Sequence, residues 1–316
     1  MVTPRTVMIV NPNSQGGRLG KRWKDVAETI GRAFPFEEAV TQGPGDATRL
    51  TREALRGGAE RVVAIGGDGT INEVVNGFFD DAGAAIAPEA SFAVIPYGTG
   101  GDFRRTLELP TDLAAAAKVI AANHRRKIDV GRLELTTMDG RRTVRMFANI
   151  ASFGVSGVVD RLVNESGKKL GRLGFALATA RATWAYTNQR VQLVFDGAER
   201  VELTINTVAV ANGRYFGGGM KVAPNAELDD AAFDVIAMGD FGFGDLMKSG
   251  RRLYSGTHLA MDKVTARRAR VVEAEPIDPK AIVELDVDGE NPGRLPARFE
   301  LVPAALWVVA PGAPAA

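Results

Sequence analysis

Glycine placed where a strand ends and a helix begins is the strongest chemical signal in this chain. Gly66-Gly67-Asp68-Gly69-Thr70 follows the apolar run Arg61–Ile65 and precedes a helical pattern over Ile71–Phe79. Glycine lets backbone amides come close to an anion, and a helix N-terminus adds unpaired N–H groups aimed the same way. Thr70 can add a hydroxyl donor. Asp68 repels a phosphate, so its natural use is to hold magnesium or its waters. A tight turn with Asp68 as a helix cap is the alternative. A second loop, Gly98-Thr99-Gly100-Gly101-Asp102, follows the next core strand, and Asp102 has the same two readings. Asn11-Pro12-Asn13-Ser14, after the first strand, offers polar contacts or a plain turn.

A second candidate centre lies at Asp286-Val287-Asp288-Gly289-Glu290. Alternation puts Asp286 and Asp288 on one face, and Gly289 opens a turn. A carboxylate within reach of a hydroxyl can take its proton as the oxygen attacks phosphorus. Asp288 and Glu290 are the candidates, and a polar hairpin turn is the competing reading. Asn212–Met220, with four glycines around Tyr215-Phe216, reads as a close-packed turn. It leads to the acidic loop Ala223–Asp230, either a cation site or an exposed loop. His124 and His258 are the only histidines and lack ligand spacing.

Two nucleotide signatures fail. No Gly-x-Gly-x-x-Gly follows the first strand. Gly16-Gly17-Arg18-Leu19-Gly20-Lys21 is one residue short of a P-loop, and Arg22 stands where Ser or Thr would bind magnesium. A net charge of +1 over 316 residues gives no global field that selects nucleic acid. The absence of cysteine excludes disulfides and thiolate chemistry and is compatible with the cytoplasm. No apolar run reaches the roughly 18 residues of a spanning helix. Basic clusters such as Arg125-Arg126-Lys127, Arg251-Arg252 and Arg267-Arg268 read as solvated surface, or as an attraction to anionic lipid if they share a face.

The elements that must position these residues fall into two groups. Strands at Val7–Val10, Phe36–Val40, Arg61–Ile65 and Phe92–Ile95 alternate with helices over about 20–32, from Asp46 as cap to Gly57, over Ile71–Phe79 and over Leu113–Ala122. That order predicts an α/β domain over residues 1–130, a mostly parallel sheet with helices on both faces. From about 131 to 310 alternating patterns predict a mainly antiparallel β domain. Its strands fall at Gly131–Leu135, Thr143–Phe147, Val191–Phe195, Val201–Ile205, Lys263–Arg267, Ala281–Val287 and Leu306–Val309. Helices interrupt near Leu173–Tyr186 and Phe243–Ser249. The last segment either stays here or returns to the first domain, and residues 311–316 read as a flexible tail.

In their order and spacing these fragments resemble the diacylglycerol kinase catalytic-domain family. The likeness is to its bacterial diacylglycerol/lipid kinase branch, which is similar to sphingosine and ceramide kinases. It rests on Asn11–Ser14, Gly66–Thr70 with Asn72-Glu73-Val74-Val75-Asn76-Gly77, Pro96–Phe103, Asn212–Met220, Pro224 with Asp229-Asp230, and Asp288-Gly289-Glu290. The resemblance implies a Rossmann-like three-layer domain similar to 6-phosphofructokinase and NAD kinase, a β-sandwich, and ATP in the cleft between them. It implies a nucleotide site of Asn11, Pro12, Asn13, Ser14, Gln15, Gly16, Thr41, Gly66, Gly67, Asp68, Gly69, Thr70, Ile71, Asn72 and Thr99. Asp68 and Asp102 would serve a catalytic magnesium network. Asp288 would be the general base with Glu290 beside it. A second, structural magnesium would sit on the Glu227 carbonyl, the Asp230 carboxylate and the Ala232 carbonyl.

The implied reaction is transfer of the ATP γ-phosphoryl group to a lipid alcohol, with Phe153, Val155, Phe175, Leu177, Trp184, Tyr215 and Phe216 as groove residues or core. An insoluble substrate implies peripheral contact with an anionic membrane, at the inner face of the plasma membrane. The oligomeric state stays open, a homodimer among the options. NAD kinase and a non-catalytic nucleotide-binding regulator are the rival readings. Two positions depart from the family: Gly101 stands where asparagine is usual, and Ala231 where glycine is usual. If the backbone needs positive φ at residue 231, alanine is strained there.

Overall fold

The computed structural model describes residues 3–98, 100–165 and 186–312. The chain divides into two compact units, Met1–Val130 with Pro303–Ala316, and Gly131–Val302. Two long strands, β5 (Arg125–Thr136) and β15 (Arg294–Val309), supply residues to both.

The first unit is built on parallel strands β1 (Thr6–Val10), β2 (Glu37–Val40), β3 (Arg61–Gly66) and β4 (Ser91–Pro96), in the order β2-β1-β3-β4, followed by the end of β15. All five residues of β1 and all six of β3 are buried, as expected of strands covered on both faces. On one face Met8, Val10, Val63, Ile65, Ala93 and Ile95 pack with Leu19, Val26 and Ile30 of α1 (Ser14–Gly31) and with Ala116, Ala117 and Ile120 of α5 (Leu113–Ala122). Helices α2 (Asp46–Arg56) and α3 (Asp68–Gly77) pack on each other, so tightly that a Cβ at Gly77 would lie 2.4 Å from Thr51 Cβ. The strand order reverses between β1 and β3. In open α/β sheets that reversal is where a ligand crevice opens, beyond the carboxyl ends of the strands.

The second unit is a β-sandwich. One antiparallel layer joins β15 to β13 (Val271–Pro276), β8 (Gln189–Phe195) and β9 (Glu199–Ile205), with β5 also pairing β6 (Arg142–Phe147). The other has the order β12 (Val264–Ala269), β11 (Phe233–Met238), β10 (Thr207–Ala211), β7 (Ile150–Gly154) and β14 (Leu285–Val287). Phe147 stacks on Phe233 and Phe153 on Phe299, tying the two layers. The outer face of the second layer is covered too: Ala209, Ala211, Ile236 and Met238 meet Val222, Ala223, Phe241 and Leu253. Leu253 belongs to α7 (Phe243–Ser255).

Several sequence expectations are corrected. Asp46 does not cap α2: it is the first helical residue, and its carboxylate accepts the Gln42 amide at 2.8 Å. Glu73 takes the capping role, accepting the amides of Gly45 (2.9 Å) and Ala47 (3.0 Å). Helix α1 begins at Ser14, well before residue 20, but Gln15, Gly16 and Gly17 are left-handed inside it. Strands β7, β10, β11 and β13 went unforeseen. The last segment, left open between the two domains by the sequence, falls in the first unit as Pro303–Ala316. The helix expected near residues 173–186 lies, apart from Tyr186, outside the described residues.

Arg61 closes the bottom of the parallel sheet. Only 1% exposed, it donates to the Ile120 carbonyl (2.8 Å) and to Thr6 Oγ1 (3.0 Å), and sits over the Phe34 ring. Arg61→Met should lower unfolding free energy by about 2–3 kcal/mol, because it strips a buried carbonyl and hydroxyl of a charged donor. The midpoint of a urea titration reads this directly.

Candidate functional site

The carboxyl ends of β1, β2, β3 and β4 share one edge, and the predicted loops leave from it. Asn11, one residue past β1, reaches across the strand-order reversal. Its amide donates to the Ile65 carbonyl (3.3 Å), and its side-chain Nδ2 donates to Thr70 Oγ1 (2.9 Å). Its Oδ1 accepts the Asn13 amide at 3.0 Å, which shapes the turn through Pro12. Gly17 N–H then bonds the Asn13 carbonyl (3.0 Å), and the left-handed Gln15 and Gly16 lie between. Ser14 is 8% exposed, and its hydroxyl has no partner among the described residues. Thr41, buried past the end of β2, donates its amide to the Val10 carbonyl (2.9 Å).

The two glycine loops touch. A Cβ added at Gly98 would fall 2.6 Å from the Gly67 Cα, so only glycine lets the backbones meet. A Cβ at Gly66 would fall 2.6 Å from Thr70 Oγ1, which fixes Thr70 over the end of β3. The bond between the loops is Asp68: its carboxylate accepts the amides of Gly101 (2.9 Å) and Asp102 (3.2 Å). Asp68 therefore caps the short helix α4 (Asp102–Thr106) while standing in the first turn of α3. Burial pushes the Asp68 carboxyl above the usual carboxylate range, against the downward pull of those amides and of Arg105. Asp102 is 7% exposed and pairs with Arg105 Nη1 at 3.1 Å. Arg105 also bonds the Gly100 carbonyl.

Helix geometry leaves the amides of Asp68, Gly69 and Thr70 without partners inside α3, facing the same edge. Ile71 and Asn72 are buried, and Asn72 Oδ1 accepts from Asn76 Nδ2 (3.1 Å). Both lie in the first half of α3, directly after Thr70. Thr99 lies outside the described residues.

In the second unit Asp288 and Gly289 form a two-residue hairpin loop. Val287 and Glu290 exchange both backbone bonds (2.8 and 3.0 Å), and φ is +50° at Asp288 and +87° at Gly289. Positive φ at both central residues is the type I′ turn, for which Asp-Gly is a preferred pair. Asp288 Oδ1 accepts the Ile150 amide at 2.8 Å, and Asp288 N–H donates to the Ile150 carbonyl at 3.0 Å. Asp286 braces the turn: Oδ1 accepts the Gly289 amide (3.0 Å) and Oδ2 the Ser152 hydroxyl (3.2 Å). The glycine loop after β10 is anchored close by, with Asn212 N–H on the Asn149 carbonyl and Asn149 Nδ2 on the Tyr215 carbonyl, each at 2.9 Å. Phe153 is buried between the sandwich layers and is core, not groove. Val155 is buried, Tyr215 and Phe216 are half-buried, and Phe175, Leu177 and Trp184 lie outside the described residues.

The same two-part order recurs in known proteins. Residues 5–133 match the diacylglycerol kinase catalytic domain, and residues 149–310 match the YegS C-terminal NAD kinase beta sandwich-like domain. The chain belongs to the diacylglycerol kinase catalytic-domain family of lipid kinases. It is 32% identical to a diacylglycerol kinase of Staphylococcus carnosus over 302 residues, covering 93% of this chain and 91% of that one. It is 28% identical to a diacylglycerol kinase of Mycobacterium tuberculosis, covering 97% and 95%. A crystal structure from Bacillus anthracis str. Sterne aligns with a TM-score of 0.77 at 27% identity, covering 98% of both chains.

Within this family frame the two departures acquire a conformational meaning. Gly101 has φ +68°, a left-handed state that glycine and asparagine both tolerate, so the exchange keeps the turn and removes only an amide side chain. Ala231 has φ +60°, the strained state anticipated for it. Asp230 accepts the Ala232 amide (3.2 Å) and pairs with Arg268. Asn149, Ser152, Arg105 and the capping role of Glu73 were missed: Asn149, Ser152 and Glu73 meet partners distant in sequence, and Arg105 folds back on Gly100 and Asp102 within its own loop.

Gly98→Ala should cost about 1–3 kcal/mol of unfolding free energy, since a new methyl would push one loop off the other. Gly67→Ala should be nearly silent: its Cβ would meet the Gly98 Cα at an ordinary 3.8 Å. Thermal unfolding of both variants checks the contrast.

Proposed function

We propose that this kinase-family chain transfers the γ-phosphoryl group of ATP to a hydroxyl of diacylglycerol or a related lipid alcohol. The observation that carries the reading is the pair of interlocked glycine loops at the strand-order reversal, in a chain of this family. The unpartnered Ser14 hydroxyl and the first-turn amides of α3 are donors suited to phosphate oxygens. Asn11 positions Thr70 for the same anion, and Thr41 lines the neighbouring strand end.

Asp68 and Asp102, which also bond the Gly101 and Asp102 amides and Arg105, would hold magnesium as a pair together with substrate phosphates, a shell that a lone carboxylate such as Asp230 lacks. Both flank Gly100, where an added Cβ would lie 2.5 Å from one Asp68 oxygen and 3.9 Å from one of Asp102. Among the described residues no three His, Cys, Asp or Glu side chains gather to hold a metal. Magnesium commonly binds through one or two carboxylates plus water and substrate phosphates. When bound, it would offset charge on the transferring phosphoryl group.

Asp288 takes the proton of the attacking lipid hydroxyl, with Glu290 as partner. The Ile150 amide holds Asp288 Oδ1 and so fixes the direction of the carboxylate for that work. Contact with an anionic membrane surface follows from an insoluble substrate and would be peripheral: among the described residues no helix is long and apolar enough to cross a membrane.

The test is label transfer from γ-labelled ATP with magnesium to dioctanoylglycerol, other lipid alcohols in mixed micelles, and NAD. Labelled lipid supports the proposal, whereas label on NAD alone moves the assignment to NAD kinase. Asp288→Asn is a clean companion. Asn-Gly also favours the type I′ turn and keeps an acceptor for Ile150, so only the carboxylate is lost. Lipid phosphorylation should fall about 10²–10⁴-fold with the unfolding midpoint unchanged. Full activity in that variant would remove Asp288 from the role.

A further inference from the structure

We infer that the Glu227–Ala232 loop is closed by an internal cation, the Arg268 guanidinium, and folds without the structural magnesium that the family resemblance implies. The observation comes from β-sheet register. Strands β11 and β12 run antiparallel, and Arg268 is the direct cross-strand partner of Asp234. From that position Arg268 Nη2 reaches Asp230 Oδ2 in an ion pair. Asp234 is 8% exposed, and Glu227 and Asp230 both act on it as neighbouring negative charges. One guanidinium thus faces Asp230 and Asp234, with Glu227 a further negative charge acting on Asp234.

The donor set left over does not suit magnesium. Asp230 is the single carboxylate the implied site would use. One of its oxygens already accepts the Ala232 amide at 3.2 Å, and the other faces Arg268. Magnesium demands a tight octahedron of oxygens. A divalent ion at Asp230 would also meet the positive charge of Arg268 at close range, where like charges repel.

Ala231 supports the same reading. A left-handed non-glycine residue persists only where its surroundings over-determine it. Asp230 and Ala232, on either side of Ala231, are pinned together by the Asp230–Ala232 hydrogen bond, and Arg268 pins Asp230 to β12. The protein's own charge therefore holds the strained residue in place. The side chain of Arg268 is 55% exposed, so the pair fixes loop geometry more than it adds stability.

The experiment uses the full chain without nucleotide or lipid, so its outcome is independent of the proposed reaction. Unfolding midpoints are measured in EDTA, in magnesium chloride and in calcium chloride for wild type, Arg268→Ala and Asp230→Asn. Metal content after gel filtration is measured alongside. Asp230→Asn keeps an acceptor for the Ala232 amide, and any ion bound elsewhere affects it as it affects wild type. Wild type and Asp230→Asn should therefore respond to EDTA alike, with no divalent ion at chain stoichiometry dependent on Asp230. Arg268→Ala should lose about 1–3 °C in EDTA and recover it when a divalent salt is added. A wild-type chain that retains one divalent ion lost in Asp230→Asn would overturn the inference. So would an Arg268→Ala variant that behaves as wild type in all three solutions.

Discussion

The Asp68 carboxylate accepts the amides of Gly101 and Asp102, and through that pair of bonds one glycine loop fixes the other. The constraint is severe because the side chain serves two helices at once. It stands in the first turn of α3 and caps α4, and burial works against its charge. Everything else on the rim follows from this join. Gly98 must be glycine so that the loops can meet, Gly100 so that the carboxylate can pass, and Gly66 so that Thr70 can fold back to Asn11.

The second unit solves a similar problem with different parts. Its acidic residues sit on a tight hairpin whose shape an Asp-Gly pair already favours, and the structure adds two braces. Ile150 holds Asp288 from the neighbouring strand, and Asp286 holds the Gly289 amide while leaning on Ser152. A carboxylate held at one oxygen by a backbone amide has a fixed direction, which general-base work requires. The left-handed backbone at Asp288 is therefore ordinary turn chemistry and stores no special strain.

Much of the first unit was legible in the sequence because its strands end in glycine-rich or Asn-Pro turns and its helices show clear apolar spacing. The sandwich was read only where strands alternate. Strands β7, β10 and β11 are buried on both faces, so IASFG, TVAVA and FDVIAM carry no alternation to detect. Asp46 misled for a simpler reason. It has the right type for a cap, but the helix starts one residue earlier, with Gly45 as N-cap and Glu73 accepting the amides of Gly45 and Ala47. The glycine rim and the acidic hairpin could both be named from residue types, whereas their braces (Asn149, Ser152, Arg105) could not. Asn149 and Ser152 act on groups that only the folded chain brings near, and Arg105 on a loop whose path only the fold sets.

Binding of magnesium-ATP to the wild-type chain and to Asp68→Asn, followed by titration calorimetry, tests the central claim most directly. An asparagine at residue 68 would keep one acceptor but turn an N–H toward an amide of α4, unlocking the loops and removing a magnesium carboxylate together. The account predicts saturable, magnesium-dependent binding to wild type and at least a roughly tenfold loss in the variant, the equivalent of one charge-assisted hydrogen bond or more. Equal affinity in the two proteins would contradict it, because the interlocked glycine loops would then have no part in holding the phosphates.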